Sequence, residues 1–401
     1  MKNGLIAILF DRLGPYHWAR LQAASRIFRV VAVETCATTR DYDWERRNEP
    51  RVYEKLTLFD GVSDSHSLKR TRLRRKMRDA LVAVDPMVAM IPGWGTPASL
   101  IALEWCLQNK RRAIVMSESN AFDHERSALR EAIKRIVVSL FSAGLAGGQL
   151  QKEYLITLGL LRERVFTGYD VVDNDHFEQG AIEVRSQREE ARKEYGLPEN
   201  YFLASARFVP KKNLRRLMEG YAFYRKLAGT NHWKLVLLGD GPLRAELVTL
   251  RHKLDLVGDI ILPGFIQYPE LPAYYALAGA FVHASTTEQW GLVVNEAMAT
   301  DLPVIVSNRC GCVRDLVAEG KNGFTFDPGS FESLGKLMLD MSRLPEERLK
   351  EMRGESRRII AGFTPAHFAT GAARAIEVAK TTPIRRASLF SSLLLKVLIH
   401  R

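Results

Sequence analysis

The sequence predicts an α/β fold built from two doubly wound, Rossmann-like domains with parallel sheets. Three observations carry this expectation. Short apolar runs rich in β-branched residues alternate with longer stretches of helical period through most of the chain, which is the pattern of βαβ units. The runs are continuously apolar rather than alternating, as in strands covered on both faces. The length of 401 residues, at ~150 per domain, leaves room for two such sheets.

Composition narrows the class further. The chain is 46% apolar and 26% charged, ordinary for a soluble protein and sufficient for large cores. Disorder, collagen and low-complexity scaffolds are excluded. Cys36, Cys106, Cys310 and Cys312 are too few and too scattered for a secreted disulfide framework. Cys310-Gly-Cys312 has no second pair or nearby His to complete a zinc site and reads as small residues in a turn. The apolar start Leu5–Phe10 runs into Asp11-Arg12 without a small-residue cleavage site, so it reads as a buried strand rather than a signal peptide. No run reaches the ~18 apolar residues of a membrane span. A cytoplasmic protein is expected. The formal charge of +12 favours anionic partners: nucleic acid, anionic lipid or phosphorylated small molecules.

Taken in order, the strand candidates of the first half are Leu5–Phe10, Arg29–Glu34, Met87–Ile91, Arg112–Met116 and a shorter Val165–Tyr169. Those of the second half are Tyr201–Ala206, Lys234–Leu238, Ile260–Leu262, Ala280–His283, Val304–Ser307 and Phe324–Phe326. Between the series, Glu178 to Asn200 is highly charged and reads as a linker with a surface helix. The expected division is 1–180, 181–372 and a tail, 373–401. Two domains then face each other across a cleft, with ligands at the carboxyl ends of the strands. The segment Leu68–Arg78 carries seven basic residues and no acid, with Leu68, Leu73 and Met77 at roughly helical spacing; it reads as an amphipathic basic helix. The tail from Arg385 to Arg401 is apolar with basic flanks, too short to span a bilayer but suited to lie on an anionic one.

Three stretches carry chemistry. In Ala284-Ser-Thr-Thr-Glu288-Gln-Trp-Gly291-Leu292-Val-Val-Asn-Glu296 a strand ends, a polar loop follows and a helix begins near Gly291. Free N–H groups at that helix start favour a phosphate. Glu288 before it and Glu296 inside it suit hydroxyl-rich groups at the two ends of a diphosphate. Read alone, the stretch is equally a helix cap with a surface glutamate. In Arg207-Phe-Val-Pro-Lys211-Lys212-Asn213, basic side chains follow a strand and point into the cleft, where they neutralise a diphosphate. Gly239-Asp-Gly241-Pro-Leu-Arg244 lacks the third glycine of a dinucleotide fingerprint and reads as a tight turn.

In order and spacing these residues resemble the family-4 retaining glycosyltransferases of the two-Rossmann (GT-B) architecture, most clearly over about residues 200 to 330. Glu288 and Glu296 match the family's Glu-x7-Glu pattern, and Arg207 and Lys212 its Arg-x4-Lys pattern. Leu262-Pro-Gly264-Phe265, Asn295-Glu-Ala-Met298, Asp301-Leu-Pro303-Val304 and Glu319-Gly320-Lys-Asn-Gly323-Phe324 agree as well. Gln289-Trp290, where the family often has Pro-Phe, and Cys310-Gly-Cys312, where it often has Gly-Gly, are departures that bear on the sugar rather than the reaction.

The resemblance implies that Arg207 and Lys212 hold the donor diphosphate, that backbone at Gly291 and Leu292 adds N–H donors, that Glu288 binds the transferred sugar and that Glu296 binds the ribose. It makes Gly264 and Phe265 the base pocket and Gly14, after the first strand, part of the glycine-containing loop near the donor. His124 is the candidate for the active-site histidine that relatives often carry in the first domain, with Glu118 and His17 as acceptor-binding candidates. Neither Asp41-Tyr-Asp43 nor Asp173-Asn-Asp175 is read as a metal site, and no metal or cofactor is expected. The implied reaction is retaining transfer of a sugar from a UDP- or GDP-sugar to a glycan or lipid-linked acceptor, in surface polysaccharide, lipopolysaccharide or glycolipid synthesis. Residues 68–78 and 385–401 would contact the inner membrane face, and no nucleic-acid partner is expected. A nucleotide-sugar 2-epimerase of the same architecture, a silent sugar-nucleotide sensor and an anion- or nucleic-acid-binding protein are the alternatives.

Overall fold

The computed structural model describes residues 4–38, 52–61, 68–384 and 388–400. By contact the chain forms two units, Met1–Val171 with Thr364–Arg401, and Val172–Phe363.

Among the described residues the first unit holds seven parallel strands: β1 (Ile6–Phe10), β2 (Val30–Cys36), β3 (Glu54–Phe59), β4 (Val88–Pro92), β5 (Arg112–Ser117), β6 (Ala143–Ala146) and β7 (Val165–Thr167), in the order β3-β2-β1-β4-β5-β6-β7. The second unit holds β8 (Tyr201–Ser205), β9 (Lys234–Leu238), β10 (Ile260–Gly264), β11 (Ala280–His283), β12 (Val304–Ser307) and β13 (Gly323–Phe326), in the order β10-β9-β8-β11-β12-β13. Both sheets are therefore doubly wound, and strand order reverses between β1 and β4 and between β8 and β11. Ligands bind at such reversals, beyond the carboxyl ends of the strands. The central strands are buried along nearly all of their length, as their uninterrupted apolar runs require.

Two strands escape the sequence reading. β3, Glu-Lys-Leu-Thr-Leu-Phe, is an edge strand whose first half is partly exposed. β6, Ala-Gly-Leu-Ala, is four residues without a β-branched side chain. Gly144 is nonetheless needed there, because a Cβ would sit 3.0 Å from Leu155 and 3.1 Å from Leu160.

The charged stretch 178–200 is not a linker. It forms the helices Asn174–Ser186 and Arg188–Tyr195 of the second unit. Phe177 and Ala181 are buried, and a Cβ on Gly180 would come within 2.7 Å of Pro272. Its outward charges mask that inner face in the sequence. Arg185 is anchored inward, donating to the carbonyls of Ala276 (3.0 Å) and Thr300 (2.6 Å).

The C-terminal residues belong to the first unit rather than to a separate tail, and the second unit gives way at Phe363 instead of residue 372. Helix Pro365–Thr381 packs on helix Pro15–Ser25 and on β5, β6 and β7, close enough that a Cβ on Gly371 would lie 2.3 Å from the Thr167 carbonyl. Helix Arg70–Val84 has the expected amphipathic form, with Leu73, Met77 and Leu81 buried. Asp173 caps helix Asn174–Ser186, accepting from the His176 N–H at 3.3 Å; Asp41 and Asp43 lie outside the described residues. Among the described residues, no helix is long and apolar enough to cross a membrane.

Candidate active site

The loops that follow β8 and β11 flank the strand reversal of the second unit. Phe208 is fully buried and roots the first of them. Its N–H donates to the Asp240 carbonyl at 2.8 Å and its carbonyl accepts from Leu243 at 3.1 Å. That approach explains the glycines of the 239–241 turn. A Cβ on Gly239 (φ +123°) would lie 1.9 Å from the Ala206 carbonyl oxygen, and one on Gly241 would meet the Phe208 backbone at 2.8 Å. The turn serves packing. Beyond Phe208, a single 3-10 turn, Pro210–Lys212, ends at Asn213 in the left-handed region (φ 58°). The Asn213 amide donates to the carbonyls of Ala284 (3.1 Å) and Pro328 (3.0 Å), and the Thr286 N–H donates to the Lys211 carbonyl at 2.9 Å. The basic and acidic loops are thereby stitched together, with Lys212 facing Glu288.

The Lys212 ammonium donates directly to Glu288 Oε2, and both side chains are shielded, 14% and 12% exposed. Lys211 Nζ stands 3.8 Å from Oε1. The Ser285 hydroxyl donates to Oε2 at 3.3 Å, and His283 Nε2 lies 3.2 Å from that hydroxyl and 3.7 Å from the carboxylate. Burial opposes ionisation of Glu288, but the nearby His283 and the Lys212 and Lys211 charges outweigh it and hold the carboxyl well below its usual range. Burial lowers the His283 pKa, so its imidazole is neutral at pH 7. An anion with fixed neighbours thus sits at the mouth of the sheet, beside two ammonium groups that a phosphate would also attract.

Behind Glu288 runs the turn holding Cys310 and Cys312, both free and buried. The Gly311 N–H donates to the Glu288 carbonyl at 3.0 Å and the Cys312 N–H to the Trp290 carbonyl at 3.2 Å. Trp290 is buried, its indole N–H donating to Asn295 Oδ1 at 2.8 Å. Gly291 (φ 108°) caps helix Leu292–Ala299 in a conformation that favours glycine, and residues 291–293 are half-buried. Their N–H groups belong to the first turn, ahead of the helical ladder. Glu296, one turn on, is 1% exposed and accepts from the Tyr275 hydroxyl at 2.5 Å.

Arg207 is half-buried on the loop that carries Lys212. Gly264 (φ +99°) ends β10 and accepts from the Gly239 N–H at 2.8 Å. That bond ties Gly264 and Phe265 to the turn supporting the basic loop. The second unit therefore gathers Arg207, Lys212, Gly264, Phe265, Glu288, Gly291, Leu292 and Glu296 at one end of its sheet. His283, Ser285 and Tyr275 were not foreseen. His283 and Ser285 lie where a buried strand turns into the polar loop, a signal the sequence does carry; Tyr275, within an apolar helix, has none.

In the first unit, Gly14 caps helix Pro15–Ser25 with extended backbone (φ −108°) that any residue adopts. Its N–H donates to His17 Nδ1 at 3.0 Å, and the His17 ring packs on Phe10 with centroids 4.4 Å apart. Burial, with help from Arg20 and Arg12, pushes the His17 pKa down to about 3. Capping and packing account for this histidine without an acceptor. Glu118 follows β5 and adjoins Asp170, which burial and the Glu118 charge drive upward against the Arg20 guanidinium 3.8 Å away. Arg20 and Asp170 are both buried. His124 sits exposed in the turn before helix Ala128–Val138, a turn pinned by Arg126, which bonds Asp123 and the Asn120 carbonyl.

Residues 187–358 match the family model for glycosyl transferases group 1. The alpha-monoglucosyldiacylglycerol synthase of Acholeplasma laidlawii is 34% identical over 143 residues, covering 35% of this chain and 34% of that protein. The match thus spans about a third of that relative's length. Among solved structures, Alr3699/HepE of Anabaena, crystallised with UDP, superposes with a TM-score of 0.70 at 16% identity, over 93% of this chain and 99% of that one. WaaG, a glycosyltransferase involved in lipopolysaccharide biosynthesis, superposes with a TM-score of 0.67 at 14% identity, over 92% and 98%. Residues 187–358 are thus similar to the group 1 glycosyl transferases, in a chain with the two-Rossmann (GT-B) fold.

Proposed function

We propose that the chain is a retaining glycosyltransferase that moves a sugar from a nucleoside-diphosphate sugar to an acceptor hydroxyl without a metal ion. The observation that carries this reading is the Lys211–Lys212–Glu288–His283 cluster at the strand reversal of a group 1 glycosyltransferase domain. The bond from the anomeric carbon to the diphosphate oxygen breaks, a bond to the acceptor oxygen forms on the same face, and the acceptor proton passes to the departing phosphate. Arg207, Lys212 and the first-turn N–H groups at Gly291 and Leu292 stabilise the charge that develops on the diphosphate. Glu288 orients the sugar hydroxyls, held ionised by the lysines and aligned by Ser285 and His283. Glu296 takes the ribose, exchanging its Tyr275 bond, and Gly264 and Phe265 line the base. Glu118 is the acceptor-side candidate, ahead of His124; His17 is assigned no role.

Because Lys212 is paired with Glu288, a diphosphate has to draw the lysine from the carboxylate, and the freed carboxylate then meets the sugar. Glu288→Gln removes the competitor. The variant is expected to bind nucleoside diphosphate about tenfold more tightly and to turn over about a hundredfold more slowly, since the sugar loses its orienting anion. Titration calorimetry and a transfer assay check the two halves separately.

The Anabaena relative solved with UDP supports a uridine nucleotide, with a guanosine nucleotide as the second choice. The names of the Acholeplasma synthase and of WaaG support a glycolipid or lipopolysaccharide acceptor, and such an acceptor would bring the enzyme to the inner membrane face. A nucleotide-sugar 2-epimerase would consume donor alone; incubation with donor and no acceptor separates the two.

A further inference from the structure

The second unit carries a recess at the end of its sheet opposite the donor loops. Asn200, Trp233 and Gly279 directly precede β8, β9 and β11, and Asp301 lies just ahead of β12; all four line a cavity of about 730 Å³. Helix Glu346–Ile360 forms one wall. Glu346, Lys350, Arg353 and Arg357 recur on it at intervals of three or four and share the face turned to the cavity. Arg185 and Arg188, from helices Asn174–Ser186 and Arg188–Tyr195, complete the cationic lining.

Five cations therefore line the recess against three carboxylates, Glu199, Asp301 and Glu346. Asp301 is 9% exposed and held from two sides, by Arg185 at 3.3 Å and by Arg357, whose Nε donates to Oδ1 at 2.7 Å. Glu346 meets Arg353 at 3.0 Å but is 73% exposed, a pair that water weakens. Arg188 and Lys350 are exposed and form no ion pair among the described residues. Burial lowers the Arg185 pKa, with Asp301 opposing and the charges of Arg353 and Arg357 adding to the shift. The cluster thus keeps positive charge that its own acids leave unanswered. Trp233 supplies an apolar wall. Its ring packs against Phe202 with centroids 5.0 Å apart, and its approach needs Gly279, where a Cβ would lie 2.2 Å from the indole.

We propose that this recess is a second anion site, which takes a small molecule carrying a chain of phosphates on Arg188, Lys350 and Arg353. Arg185 and Arg357 stay on Asp301 and fix the floor. The cations converge from separate helices on one cavity, where a merely solvated basic surface would spread them. A single phosphate would reach one wall and leave most of the cavity empty, whereas a chain engages cations on both. An extended nucleic acid would lie across the recess without filling it. The donor loops follow the carboxyl ends of the strands and this site lies at their amino ends, so its ligand is an effector and not the source of the transferred sugar. The inference goes beyond the proposed reaction and does not depend on it.

The full chain is labelled with fluorotryptophan, the Trp233 resonance is assigned from Trp233→Phe, and tripolyphosphate is titrated in at fixed salt. A saturable shift at Trp233 is expected. It should persist in Lys212→Met, which separates this site from the donor loops. Lys350→Ala with Arg353→Ala is expected to weaken binding about tenfold, with an unchanged melting temperature. Glu346→Gln releases Arg353 and should tighten binding about threefold, a gain that a misfolded variant would not show. ATP without a metal ion distinguishes the source: a matching shift at Trp233 admits a nucleoside-borne chain, and a shift with tripolyphosphate alone restricts the ligand to the free chain. Adenosine should leave the resonance in place. A Trp233 signal that does not move with tripolyphosphate, equal binding by the double variant, or an equal shift with adenosine overturns the proposal. So does a single-stranded oligonucleotide that moves the signal where tripolyphosphate does not.

Discussion

At the residue scale the donor site is organised around one ion pair. Lys212 and Glu288 are both largely shielded from water, where a pair is costly to break because the survivor stays buried and unpaired. Lys212→Met is therefore expected to weaken nucleoside diphosphate binding on the order of a hundredfold and to raise the Glu288 pKa, whose burial is no longer offset. His17 gives a pH signature from the other unit. Its folded pKa, pushed down to about 3, lies below the ordinary value of 6.5, so the unfolded chain binds the extra proton between those values. Stability from this group is complete above pH 6.5 and is lost as pH falls towards 3. Asn at position 17 keeps an acceptor for the Gly14 N–H without a titrating ring. A His17→Asn melting curve should show a shallower decline from pH 6.5 to 4 than the wild type; equal slopes would contradict the assignment.

At the element scale, the site exists because two loops after neighbouring strands are locked to each other and to the 239–241 turn. Gly239→Ala drives a Cβ into the Ala206 carbonyl and adds a left-handed strain, so a loss of about 3 kcal/mol is expected, measured by urea unfolding. The same substitution displaces the basic loop and should weaken nucleotide binding in the fraction that folds. Legibility from sequence follows the physics of each element. Central strands such as β8, β9 and β11 were readable because burial on both faces leaves an unbroken apolar run. β6 was not, since its small residues are set by the helix packed over Gly144, and β3 was not, since an edge strand needs less apolarity. The Glu-x7-Glu and Arg-x4-Lys spacings announced the donor loops, but spacing cannot say that Lys212 and Glu288 would pair, nor that Tyr275 would meet Glu296. Those contacts depend on strand order, which local sequence does not encode.

At the scale of the whole chain, the charged stretch 178–200 misled because composition reports the outward face of a helix and hides Phe177 and Ala181. The return of Pro365–Thr381 to the first unit was likewise invisible, since its partners lie over 200 residues earlier in the chain. Its packing on helix Pro15–Ser25 and on β5 to β7 makes it part of that unit's core. A chain ending at Phe363 is expected to lose the first unit's cooperative melting while the second still gains thermal stability from nucleotide. Calorimetry with and without nucleotide reads both.

The most direct test of the donor site is titration calorimetry of UDP, GDP and ADP into the wild type, Lys212→Met and Glu288→Gln. One nucleotide should bind the wild type, more weakly to Lys212→Met and more tightly to Glu288→Gln. A folded wild type that binds none of the three, or variants that bind as it does, would contradict the account.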